Sequence, residues 1–187
     1  MAQRVSGFRR EPDETYETSV SWPVQLIARH LRERQCRHVW ESANGPNSKL
    51  AQVLCAEGFK VTVTCDDFLA RCALPESDID SIVTNPPYGL GGRLAQRFIE
   101  HALELAPVVA MLLRVDFDSG VTRRHLFEHC PAFALKLTLL DRIVWFENPI
   151  KQARPSDNHS WFLWDQRHRG QPAIAYAHSR DLVQKGI

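Results

Sequence analysis

The sequence predicts an α/β domain built on a mostly parallel, doubly wound sheet. Three observations carry this. Short β-branched or apolar runs alternate with amphipathic helical stretches, and Val108 to Leu113 is apolar throughout, as suits a strand buried on both faces. The 187 residues are 44% hydrophobic, enough to build a core that folds unaided. Residues 1–20 are polar and show no apolar period, so they read as an extended arm, followed by one domain over 21–180 and a short tail over 181–187.

Within the domain, Val24, Leu26, Ile27, His30 and Leu31 recur at helical spacing, which predicts a helix over Pro23 to Glu33 with Ser21 as its N-cap. His38 to Glu41 reads as a strand. Leu50, Val53 and Leu54 share one face of a helix over Ser48 to Glu57, which Gly58 stops, and Lys60 to Thr64 is a β-branched strand. Asp80 to Thr84 is a strand cut off by two prolines, and Arg93 to Leu105 is a helix that leads into the apolar strand Val108 to Leu113. A helical piece near Thr122 to His129 follows, then strands near Leu135 to Leu140, Trp161 to Trp164 and Ala173 to Ala177. No long helix separates the closing strands, so an antiparallel edge is expected. Between them, Asn148 to His159 is a polar loop, long enough to suggest a working segment.

Charge and cysteine content exclude several classes. The formal net charge is +1, from 23 Lys and Arg against 22 Asp and Glu, so any polyanion must be held by a local basic patch. No apolar run approaches the roughly 20 residues of a bilayer span, and the start of the chain lacks a signal-peptide pattern. Five cysteines without a C-x-x-C pair argue against a disulfide framework and against a zinc site, and a cytoplasmic location is expected. His125 and His129 stand four apart with no third ligand spaced to complete a site, so no metal is expected.

The sharpest chemical signal is Asn85-Pro86-Pro87-Tyr88, placed where a predicted strand ends. Ligands of doubly wound sheets bind at the carboxyl ends of strands. Two prolines fix the backbone and donate no hydrogen bonds, so the carbonyls beside them stand as ready acceptors. The Asn85 amide oxygen adds an acceptor and the Tyr88 ring adds a flat face. Together they suit a planar NH₂ group whose hydrogens go to acceptors while a ring stacks behind it.

These residues resemble the signature of the S-adenosylmethionine-dependent amino-methyltransferases, Asp/Asn-Pro-Pro-Tyr. The nearest likeness is to small phage and prophage N6-adenine DNA methyltransferases, over about Tyr16 to Tyr176. The resemblance implies a Rossmann-like sheet of the class I methyltransferase type. It also implies S-adenosylmethionine as cofactor and Asn85, Pro86, Pro87 and Tyr88 as catalytic residues. Upstream, Glu41-Ser42-Ala43-Asn44-Gly45-Pro46-Asn47 is similar to the family's Glu-Pro-x-x-Gly-x-Gly turn around the methionine moiety, with Ser42 in place of the proline and Asn47 in place of the second glycine. Glu41, Ala43, Gly45 and Asn47 are the matching positions.

The family places one acid after the second strand for the ribose and an Asp-Phe or Asp-Leu pair further on for the adenine. Here Asp66, Asp67 and Phe68 fuse the two elements, so one acid serves each role, or one role is lost, or the acids cap a helix start. Tyr16-Glu17-Thr18-Ser19 resembles the family's Tyr/Phe-x-Thr-Pro stretch over the cofactor, which makes Thr18 a further candidate, with Trp22 either beside it or packing its helix on the sheet.

The reaction implied is an in-line methyl transfer to an exocyclic amine, in which Asn85 and the Pro86 carbonyl accept the amine hydrogens and no strong base is needed. An adenine in duplex DNA must leave the stack, at a cost that backbone contacts offset. Arg9, Arg10, Arg93, Arg97, Lys151 and Arg154 could supply those contacts, Lys151 and Arg154 in the polar loop being the substrate-binding candidates. A chain of this length leaves no room for a target-recognition domain, so selectivity is expected to be low or supplied by a partner protein. Three other outcomes stay open: an RNA adenine methyltransferase, a methyltransferase for the glutamine amide of a protein, and a non-catalytic binding protein with an altered cofactor loop.

Overall fold

The computed structural model describes residues 20–45, 47–144 and 157–185. Its elements run α1 (Trp22–Glu33), β1 (His38–Glu41), α2 (Lys49–Ala56), β2 (Lys60–Val63), β3 (Ser81–Thr84), α3 (Arg93–Leu105), β4 (Val108–Arg114), β5 (Phe133–Leu139), β6 (His159–Asp165) and β7 (Ala173–Ala177), joined by loops and short 3-10 turns. Seven strands form one sheet in the order β2-β1-β3-β4-β6-β5-β7. Strands β2, β1, β3 and β4 pair in parallel, β6 runs antiparallel to both β4 and β5, and β7 lies parallel to β5. The antiparallel strand is thus one of the two closing strands, as expected, but it is threaded between β4 and β5, and the edge position goes to β7. The reason lies in burial: β6 is buried along its whole length, whereas Ile174 and Tyr176 of β7 are exposed.

Strand β4 shows why the sheet is covered on both sides. Val108, Ala110 and Leu112 enter one core with Val24, Ile27 and Leu31 of α1 and Leu50 and Leu54 of α2. The alternate residues Val109, Met111 and Leu113 enter a second core with Ala95, Phe98 and Ile99 of α3. Period-two alternation thus feeds two layers from one apolar run, at about 1.5–3 kcal/mol for each large side chain buried. Two buried indoles are satisfied within these layers: Trp161 Nε1 donates to the Pro23 carbonyl at 2.9 Å and Trp164 Nε1 to the Leu126 carbonyl at 2.7 Å.

Two local expectations change. Ser21 precedes α1, but its side chain makes no capping bond; its carbonyl accepts from the Val24 and Gln25 amides. The helical piece expected near Thr122 to His129 is a 3-10 turn over Val121–Leu126. The segment is confined between Gly120 and Pro131, and Trp164 occupies the Leu126 carbonyl that a longer helix would use. Most of the polar loop lies outside the described residues, and its last residue, His159, opens β6 as a buried side chain.

The chain turns from β3 into α3 through glycine. Gly89, Gly91 and Gly92 have φ of 62°, 65° and 76°, and the Tyr88 carbonyl accepts from the Leu94 and Ala95 amides. A Cβ on Gly89 would stand 2.7 Å from Leu94 Cβ, inside contact distance. Gly89→Ala therefore combines left-handed strain with a clash, and should destabilise the fold by about 2–4 kcal/mol in denaturant unfolding.

His159 gives a second test. Burial first, and then the Arg114 cation, push its imidazole down to about 4, against the opposing charges of Asp157 and Asp116. The unfolded chain binds this proton near pH 6.5 and the folded chain only near 4, so the stability is whole above 6.5 and drains away as the pH falls through that window. The loss amounts to about 3 kcal/mol, and His159→Gln should flatten this acid limb in melts taken across it.

Candidate functional site

In the order β2-β1-β3 the strand order reverses about β1, so the carboxyl ends of β1 and β3 lie side by side at the switch point, where doubly wound sheets bind ligands in a crevice. Glu41 ends β1 and Asn85 follows the end of β3. Glu41 is fully buried. Its Oε1 accepts from the Ala43 amide at 3.0 Å and from Thr84 Oγ1 at 2.5 Å, while Oε2 accepts from Asn44 Nδ2 and Ser48 Oγ, each at 3.0 Å. Burial pushes its carboxyl above the usual carboxylate range, opposed by the hydrogen bonds from Thr84, Asn44, Ala43 and Ser48. Ser48 also caps α2 by accepting from the Ala51 amide at 3.2 Å. One carboxylate therefore ties together the end of β1, the following turn, the end of β3 and the start of α2.

Around the turn, Ala43 and Gly45 are half-buried, Ser42 is buried and Asn47 is exposed. Gly45 has φ of 68°, and a Cβ placed there would meet nothing within 4 Å among the described residues, so the turn is open on that side to them. Asp66 and Asp67 are exposed beyond β2. Asp66 pairs with Arg71 at 2.6 Å, whose guanidinium holds the carboxyl below its ordinary range, and Asp67 accepts from the Leu69 amide at 3.0 Å as the cap of a 3-10 turn. The capping alternative thus describes Asp67. Phe68 is buried among Trp40, Phe98 and His101 at ring distances of 5.1, 4.9 and 5.0 Å, and belongs to the core rather than to the crevice wall.

On the other side, Asn85 and Pro86 are buried and Pro87 is half-buried. Tyr88 is only 5% exposed, packs in the α3 core and donates its hydroxyl to the Leu112 carbonyl at 3.2 Å. The open stacking face expected of it is turned inward. Glu41, Ala43 and Gly45 thus stand at the end of β1, and the Asn85 to Tyr88 segment at the end of the neighbouring β3, joined through the Thr84 to Glu41 hydrogen bond. Thr18, Lys151 and Arg154 lie outside the described residues. Sequence reasoning missed Thr84, Asn44 and Ser48 as partners of Glu41; Ser48 carried a signal as a helix cap, but nothing in a sequence marks Thr84 as the residue that meets a carboxylate 43 positions away.

Arg93 and Arg97 are exposed on α3. Among the described residues no helix is long and apolar enough to cross a membrane.

No protein-family model matches the sequence, and no curated protein matches it. Solved structures do. PH1948 from Pyrococcus horikoshii, for which RNA methyltransferase activity has been proposed, is 16% identical and aligns over 87% of this chain and 92% of its own, with a TM-score of 0.52. Thermoplasma acidophilum 1320 is 13% identical over 77% of this chain and 88% of its own, at a TM-score of 0.47. The match to PH1948 shows a shared fold, a Rossmann-like, doubly wound and mostly parallel sheet.

Proposed function

We propose that the chain is an S-adenosylmethionine-dependent methyltransferase acting on the N6 amine of adenine in DNA. The observation that carries this is Asn85-Pro86-Pro87-Tyr88 at the end of β3, beside the Glu41 turn at the switch point of the sheet. The residues present fit the donor. The open space at Gly45 leaves room for a methionine moiety, and Asp66 and Asp67 stand exposed beyond β2, where ribose hydroxyls would find acceptors. Phe68 offers no face to an adenine, so that part of the fit rests on Asp67.

When bound, S-adenosylmethionine supplies an electrophilic methyl group. The chain's own part is alignment. Glu41 holds the turn, Asn85 and the Pro86 carbonyl accept the hydrogens of the target amine, and density withdrawn into the base is returned to its nitrogen. A base stacks on Tyr88 only once the ring leaves Leu112; the bond lost is 3.2 Å long and neutral, worth about 1 kcal/mol. DNA is preferred over RNA on the likeness of the sequence to DNA enzymes; the activity proposed for PH1948 favours RNA as the second reading.

Incubation with methyl-labelled donor and separate samples of unmethylated DNA, RNA and protein extract decides the substrate. Label recovered as N6-methyladenine from DNA is expected, and label in the glutamine amides of protein would replace this reading. Asn85→Ala should lower transfer by about 100-fold or more while calorimetry shows donor affinity unchanged. Glu41→Gln places an NH₂ group against donors, so it should cost about 2–4 kcal/mol of stability and weaken donor binding as the turn loosens.

A further inference from the structure

Arg123 lies beside the start of α3 in a slot that the sequence keeps clear. Its guanidinium carbon sits 4.1 Å from the centroid of the buried Phe117 ring. A Cβ on Gly92 would come within 3.1 Å of Arg123 Nη1 and 3.0 Å of Phe117, and one on Gly120 within 2.7 Å of Arg123 Nη2. Two glycines thus flank a planar cation laid on an aromatic face, which holds it in one orientation. The slot adjoins the site: Gly92 caps α3, its amide donates to the Gly89 carbonyl, and Gly89 follows Tyr88.

That cation is not neutralised. The acids of the flanking segments are engaged elsewhere, Asp116 with Arg114, Asp118 with Lys136, Glu128 with Arg124 and Glu100 with His125. The Arg123 side chain makes no hydrogen bond or ion pair among the described residues, its Nε is buried without an acceptor, and only its backbone amide is engaged, donating to the Gly120 carbonyl at 2.9 Å. Arg93 and Arg97 stand exposed in the first turns of α3, whose first turn has no acid and whose N-cap offers no side chain. Cations at the positive end of a helix are unfavourable by about 0.3–1 kcal/mol each. Two exposed arginines in the first turns of α3 and Arg123 beside its start, none paired among the described residues, form a cationic patch that an anion would relieve.

We propose that Arg123, backed by Arg93, Arg97 and the amino end of α3, binds a phosphodiester of the nucleic-acid strand that carries the target base. This rests on reading the chain as a nucleic-acid methyltransferase. The guanidinium presents its donors to two oxygens of one phosphate, and the two exposed arginines follow neighbouring phosphates. A repeated anion accounts for all three cations, where a single carboxylate would account for one.

The test titrates fluorescent single-stranded and duplex oligonucleotides with the full chain by anisotropy, at about 50 and 200 mM salt. Arg123→Gln should weaken binding by about tenfold and lower the salt slope by about 1, and Arg123→Lys should restore the slope with part of the affinity. The double variant Arg93→Gln and Arg97→Gln, on exposed positions, should lower the slope by about 2 without altering the far-ultraviolet spectrum. Affinity for S-adenosylmethionine should be the same in all.

A folded Arg123→Gln chain with wild-type affinity and slope overturns the proposal; should that variant unfold, an unchanged slope in the double variant does so. Absence of oligonucleotide binding together with label transfer to protein also overturns it. Binding that depends on Arg123 with no label transferred to any nucleic acid leaves the phosphate site standing and removes the methyltransferase reading instead.

Discussion

The Glu41 carboxylate is the constraint on which the crevice depends. Parallel strands ending side by side do not by themselves make a site, because the loops that leave them diverge. Here the β1 turn and the β3 end are fastened to one buried group, through Ala43 and Asn44 on one side and Thr84 on the other, while Ser48 brings in the start of α2. Asn85 is the neighbour of Thr84, so the position of its amide is set from the opposite wall of the crevice. The two halves of the candidate site are thereby tied to each other through one buried carboxylate.

The exit from β3 adds a second constraint of another kind. The prolines Pro86 and Pro87 restrict the backbone on one side of Tyr88, and left-handed glycines at 89, 91 and 92 bend it sharply on the other. The Tyr88 carbonyl meets the first amides of α3, so the motif and the helix form a single rigid corner. That corner also explains the inward Tyr88 ring. Burial among the apolar groups of the α3 core is a stable place for an aromatic ring, and the hydroxyl finds the Leu112 carbonyl there.

How much of this was legible in the sequence follows from the range of the interactions involved. Elements with strong periodicity, such as α3, fall on their expected residues, since amphipathic spacing is a local property. The 3-10 turn at Val121–Leu126 escaped because its carbonyl is claimed by Trp164, 38 positions on in the chain. The motif at Asn85 was visible as residue types in order. The inward turn of Tyr88 and the burial of Phe68 were not, because both depend on which neighbours the sheet brings up against them. The interior place of β6 was equally hidden, since pairing between strands so far apart leaves no trace in local pattern.

The departures at Ser42 and Asn47 raise the question whether the turn is a relic, and the chemistry of Glu41 bears on it. Taking a carboxylate out of water is costly, and the burial that raises its proton affinity is the largest influence on it. Four donors offset that cost but leave little net gain, and apolar packing of similar volume would hold an idle turn at least as well. What the polar arrangement provides and apolar packing does not is direction: each donor fixes one backbone segment at one angle. Ser42 is buried and Asn47 exposed, so the two altered positions lie to either side of the residues that Glu41 holds, Ala43 and Asn44. The part of the turn that the carboxylate shapes is the part that opens at Gly45, and a shape maintained at such expense is better matched to a ligand than to a vestige.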